Sequence, residues 1–142
     1  MEAHLPHDYV PSERLRREMY KRLADVRATS DIDELRTELE DRYGRMPDSV
    51  EALLDVARLR VKVRAAGLSE VTSAGSNIRF NPVQLSESAK LRMNRIYPKS
   101  LYKEAVKVLL VPAPREPGIG GKPLRGRPLL EWVATVVDTI TG

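Results

Sequence analysis

Asp31, Glu34, Glu38 and Asp41 recur at i, i+3, i+7 and i+10. On a helix turning about 100° per residue, their carboxylates fall on one narrow stripe. A row of carboxylates can form bidentate, charge-assisted pairs with arginines, so the chemistry it offers is docking against an Arg-rich surface. Segment 31–43 holds six acids against Arg36 and Arg42, a local −4 in a chain of net charge +4. Like charges at these spacings repel by a few tenths of a kcal/mol per pair, so the stripe does not help the helix that carries it. The helix dipole favours Asp31, Asp33 and Glu34 near the N-terminus, but it does not reach Glu38 and Asp41. The alternative is a solvated helix face.

The second half offers the opposite charge. Residues 90–128 hold ten Lys/Arg against two Glu, whereas residues 1–89 hold fourteen basic against sixteen acidic side chains. Lys103, Lys107 and Arg127 are the candidate phosphate contacts of a nucleic-acid-binding module. Aromatic partners for stacking bases are few, with Tyr97 and Tyr102 the local ones, so a solvated basic surface is the simpler reading.

Catalytic chemistry is limited by what the chain lacks. With no cysteine, thiolate catalysis, disulfides and Cys-based metal sites are excluded within it. His4 and His7, the two imidazoles, stand in the opening segment and make at best a weak chelating pair. Gly121-Lys122 suggests a phosphate loop, but a Walker pattern would need Gly where Glu116 stands and Ser/Thr where Pro123 stands. No catalytic, cofactor-binding or metal-ligating residue is assigned.

The elements that must position these residues follow from periodicity and punctuation. Residues 1–11 look like a leading strand or linker remnant. Ser12 caps a helix to about Ala28, with Leu15, Met19, Leu23 and Val26 on one face. Thr29-Ser30 cap a second, whose face is Ile32, Leu35, Leu39 and Tyr43; Gly44 and Pro47 end it. Asp48 and Glu51 form a capping box opening a third helix, which Gly67 stops. Leu68–Ala74 and Ile78–Asn81 form a hairpin that Pro82 closes. Ser86 starts a fourth helix to Tyr97, with Ala89, Met93 and Ile96 inward. Leu101-Tyr102 and Ala105–Val111 make a strand pair. Residues 112–128 hold five Pro and four Gly and predict a mobile surface loop. Pro128 opens a final helix carrying Trp132, Val133, Val136 and Ile140. The order predicts an α+β fold, helices around a small antiparallel sheet, with residues 12–142 as one domain.

Length and composition agree. The 142 residues, 42% hydrophobic and 31% charged, suit one ordinary globular core. No apolar run approaches the roughly 20 residues of a membrane span. Met1-Glu2-Ala3-His4 shows no signal-peptide pattern, and a cytoplasmic location is expected.

The segment Tyr20-Lys21-Arg22-Leu23-Ala24 is followed by Glu34-Leu35, Glu38-Leu39, Asp41-Arg42-Tyr43-Gly44 and Pro47. With Leu54-Asp55-Val56-Ala57-Arg58-Leu59-Arg60 and Glu131-Trp132-Val133, it resembles the C-terminal domain of the bacterial transcription-repair coupling factors, the Mfd family. The resemblance runs from about Asp8 to Ile140 and is densest in the first sixty residues. It implies a non-catalytic terminal module of an ATP-driven translocase of double-stranded DNA, which displaces stalled RNA polymerase and recruits UvrA to nucleotide excision repair. ATP and magnesium would belong to the parent's motor domains, with no cofactor, metal or membrane contact in this module. The resemblance further implies autoinhibition: the domain packs on the parent's own UvrB-homology module and hides the surface that UvrA binds. Acidic side chains of the E-L-x-D-R helix would carry that contact, and they match Glu38 and Asp41, two residues of the stripe.

Overall fold

The computed structural model describes residues 3–142; Met1 and Glu2, which entered the signal-peptide reading, lie outside the described residues. The fold is α+β, as expected: five helices and a four-stranded antiparallel sheet. Its contacts resolve into two compact units, one running to Val61 and the other from Lys62 to Gly142.

The first unit is helical. Helix α1 spans Glu13–Asp25, α2 Thr29–Tyr43 and α3 Asp48–Ala65, the unit boundary falling within α3. Ser12 caps α1 by accepting from the Leu15 N–H. The helix ends three residues sooner than expected, because Val26 turns extended (φ −61°, ψ 134°) and is buried there. Thr29 is the first residue of α2 rather than its cap; Ala28 holds the cap position without a side-chain bond. Gly44, at φ 82°, ends α2 in backbone space open to glycine, and its N–H donates to the Glu40 carbonyl. The expected capping box on α3 is replaced: Asp48 is already helical, the Pro47 carbonyl accepts from the Val50 and Glu51 N–H groups, and the Glu51 carboxylate faces Arg36. The core combines Met19, Leu23, Ile32, Leu35, Leu39, Val50 and Leu54.

The opening residues, expected as a linker remnant, are built into this core. Leu5, Tyr9 and Val10 are buried, and the Tyr9 hydroxyl donates to the carbonyls of Leu39 (3.2 Å) and Gly44 (2.8 Å). Three apolar side chains within six positions carried that signal, and the two prolines obscured it.

In the second unit, β1 (Glu70–Ala74) and β2 (Asn77–Asn81) form the hairpin. Gly75, at φ 61°, stands first in its two-residue turn, where a type II′ turn takes glycine. Helix α4 (Glu87–Ile96) is capped by Ser86, and Ala89 and Met93 are buried. Ile96, expected inward, is half exposed. Strand β3 (Leu101–Lys103) is one residue longer than predicted, and β4 (Val108–Pro112) starts three residues later, because Glu104–Val106 form a 3-10 turn that Lys107 closes in the left-handed region (φ 57°). The strand order is β1-β2-β4-β3. Register places Phe80 opposite Leu109 and Ile78 opposite Val111, all buried, so these two central strands share one core face. Helix α5 begins at Gly126, two residues before Pro128, and runs to Thr141. It buries Val133, Val136, Val137 and Ile140, and Trp132 sits 6.3 Å from the rings of both Phe80 and Tyr97.

Residues 112–128 are not a featureless loop. Arg115 bridges Pro123, the Glu116 N–H donates to Lys122 (2.8 Å) and the Leu124 N–H to Pro114 (3.0 Å), giving a short antiparallel ribbon. Among the described residues, no helix is long and apolar enough to cross a membrane.

Candidate functional site

Helix α2 buries Ile32, Leu35 and Leu39 and is braced on both flanks. Toward α1, Arg22 pairs with Glu38 at 2.6 Å. Toward α3, Arg36 donates to Glu51 at 2.8 Å in a two-pronged contact, and Arg58 reaches Asp33 at 3.0 Å. The Glu51 carboxylate raises the pKa of Arg36, chiefly through this hydrogen bond, so the guanidinium is held charged. Tyr9 pins the end of the helix through Leu39 and Gly44.

These braces divide the four stripe residues. Glu38 is half-buried and already engaged by Arg22. Asp31, Glu34 and Asp41 are exposed, and among the described residues none has an ion pair. The predicted stripe therefore exists as a surface of three unpaired carboxylates beside one paired neighbour. At its N-terminal end lies a hollow of about 270 Å³ lined by Arg22, Asp25, Val26, Asp31, Glu34 and Leu35. Three carboxylates stand around this opening with the Arg22 cation on the same rim, so its acidic side can receive a guanidinium. Asp25 was not among the sequence candidates. It ends α1, and only the fold brings it to the same opening as Asp31 and Glu34.

The three basic candidates do not form one patch. Lys103 is on β3 and exposed. Lys107 lines a cavity of about 460 Å³ together with Ile140 and Thr141, at the C-terminal end of α5. Arg127 is in the first turn of the same helix, thirteen residues or roughly 20 Å from Ile140 along its axis. His4 and His7 are both exposed, and no described group of three or more His, Cys, Asp or Glu side chains is arranged to hold a metal.

Comparison with known proteins follows the same helices. The family model of the TRCF domain matches residues 1–95, which include all of α1, α2 and α3. The chain is 38% identical over 143 residues to transcription-repair-coupling factors of Mycobacterium bovis and Mycobacterium tuberculosis, covering all of this chain and 12% of each relative. The Bacillus subtilis transcription-repair-coupling factor is 27% identical over 150 residues, again covering the whole chain. A crystal structure of a C-terminal domain of a transcription-repair coupling factor superposes with a TM-score of 0.71 at 18% identity, covering 99% of this chain and 87% of that one. The chain thus spans about an eighth of the length of the curated relatives it matches. It belongs to the TRCF domain family of the bacterial transcription-repair coupling factors.

Proposed function

We propose that this domain is a non-catalytic, autoinhibitory module that regulates transcription-coupled nucleotide excision repair in the cytoplasm. It docks through the acidic stripe of α2 on arginines of the parent's UvrB-homology module and so masks the surface that UvrA uses. The observation that carries this reading is the unpaired set Asp31, Glu34 and Asp41 on a helix whose other charged flanks are satisfied internally. Exposed like charges on a braced helix cost stability and gain nothing without a cationic partner. Because the domain is tethered to its partner, a high effective concentration keeps even a weak contact mostly closed. Release is then a shift of population toward the open form.

UvrA binding by the full-length parent tests this, unaltered and with Glu38→Lys plus Asp41→Lys. A second variant, Glu34→Lys plus Asp41→Lys, spares the Arg22–Glu38 pair and isolates docking from bracing. Both variants should gain UvrA binding, the second with a melting temperature near the parent's and the first with a small loss from the broken Arg22–Glu38 pair. Unchanged UvrA binding in folded variants overturns the reading.

The alternative, nucleic-acid binding through Lys103, Lys107 and Arg127, draws no support from their placement, since Lys107 and Arg127 lie toward opposite ends of α5.

A further inference from the structure

The ribbon between β4 and α5 has a construction that docking through α2 does not use. Its two arms are held by the Arg115–Pro123 bridge and by the Glu116-to-Lys122 and Leu124-to-Pro114 backbone bonds. The Arg115 side chain reinforces the arms, Nε donating to the Gly121 carbonyl at 2.9 Å. At the tip stands Ile119, fully exposed, between Gly118 (φ 104°) and Gly120 (φ 73°). Gly121 is required where the arms meet, because a Cβ there would fall 2.0 Å from the Glu116 carbonyl oxygen. Glycines on both sides of an apolar tip leave the backbone slim enough to enter a narrow cleft. Arg115, Lys122 and Arg125 lie along the arms, exposed and without an ion pair among the described residues; Glu116 is the one acid of the ribbon.

An apolar wedge at the end of a thin, cationic two-stranded arm is the chemistry that unstacks a base step from the minor groove of duplex DNA. The arms supply phosphate contacts without sequence preference, and an aliphatic side chain can insert where a polar one would lose its hydration. We propose that this ribbon is a minor-groove DNA contact, with Ile119 as the wedge and Arg115, Lys122 and Arg125 on the backbone phosphates. A protein partner would find one large aliphatic side chain here, flanked by glycines and with only prolines nearby on the arms, a small centre for an interface.

The test uses the 142-residue chain and a duplex of roughly 20 base pairs with a dye at each end, reading anisotropy for affinity and energy transfer for bending. Three phosphate contacts correspond to a slope of about −2.7 in log K against log salt, or about a 40-fold loss of affinity between 50 and 200 mM salt. Lys122→Gln plus Arg125→Gln should flatten that slope by about 1.8. Ile119→Ser should keep the slope and lose the bend. Absence of binding at 50 mM salt, an unchanged slope in the double variant, or a bend that persists in Ile119→Ser each overturns the proposal. The first of these would leave the isoleucine to a protein contact. Circular dichroism keeps the variants interpretable, since all three side chains are exposed and their loss leaves the core intact.

Discussion

The two compact units carry opposite charge and handle it differently. The first holds eleven Lys/Arg against fourteen Asp/Glu, a net of −3; the second holds thirteen against six, a net of +7. In the first unit, acids and bases are near balance and are used to brace helices against each other, through Arg22–Glu38, Arg36–Glu51 and Arg58–Asp33. With fourteen acids against eleven bases, some acids there must also go unpaired; Asp31, Glu34 and Asp41 stand out because they share one stripe of a single helix. In the second unit, six acids cannot pair thirteen cations, so an unpaired lysine follows from counting alone. An exposed unpaired charge alone is thus a matter of composition in both units, and what distinguishes the first is the alignment of three such charges on one helix. A candidate in the second unit needs a further construction around it, which the ribbon has and Lys103 lacks.

The largest expected effects lie in the cores and ask whether the units differ there too. Phe80 and Leu39 are both fully buried, one between sheet and helices and one among helices. Phe80→Ala should cost about 3–5 kcal/mol and Leu39→Ala about 2–5 kcal/mol, measured by urea unfolding. A loss below about 1 kcal/mol at either site would mean that its unit repacks around the gap, and the two cores could no longer be treated alike.

How far the sequence exposed this arrangement depended on the range of the interaction. Caps and stops were legible because they are local: Ser12, Ser86, Gly44 and Gly67 act within a few residues of their own position. The core faces of α1, α2 and α5 were legible through period, and so was the stripe on α2. What could not be read depended on partners distant in sequence. Glu51 resembled half of a capping box until Arg36, fifteen residues away, claimed its carboxylate. The opening segment resembled a linker because the acceptors for Tyr9 lie thirty and thirty-five residues downstream. Asp25 joined the hollow only through tertiary contact, and the ribbon was masked by a composition that usually means disorder. Of the candidate site, the chemistry of the stripe was visible; which of its members is already paired within the fold was not.

Smaller effects separate two tyrosines of the first unit. Tyr9 donates two hydrogen bonds, whereas the Tyr43 hydroxyl is buried with no hydrogen-bond partner among the described residues, the two rings lying 5.7 Å apart. Tyr9→Phe should cost about 1 kcal/mol, and Tyr43→Phe should be neutral or stabilise by up to about 1 kcal/mol, because it removes a stranded polar group. The comparison extends to pH. Burial, with help from Glu40, raises the Tyr9 phenol above its usual value, so in alkali the unfolded chain releases that proton first. The tyrosine's contribution is complete below about pH 10 and is lost as pH rises through the raised native value. Alkaline unfolding curves should therefore be less steep in Tyr9→Phe, and an unchanged slope would place the alkaline sensitivity elsewhere.

The smallest expected effect is the most diagnostic for the stripe. Asp41→Lys and Glu34→Lys should each change stability by no more than about 0.5 kcal/mol, since both side chains are exposed and unpaired. Glu38→Gln should cost about 0.2–1 kcal/mol, because it leaves Arg22 without its carboxylate at the surface. Thermal melts at low and high salt distinguish the two kinds of site. The Glu38 effect should shrink with salt, as a screened ion pair does, while reversal at Glu34 or Asp41 should if anything stabilise at low salt by relieving repulsion within α2. A clear destabilisation by Asp41→Lys in the isolated chain would mean that its carboxylate serves the fold. The contrast between braced and unpaired acids would then fail, and with it the reason for assigning the stripe to a partner.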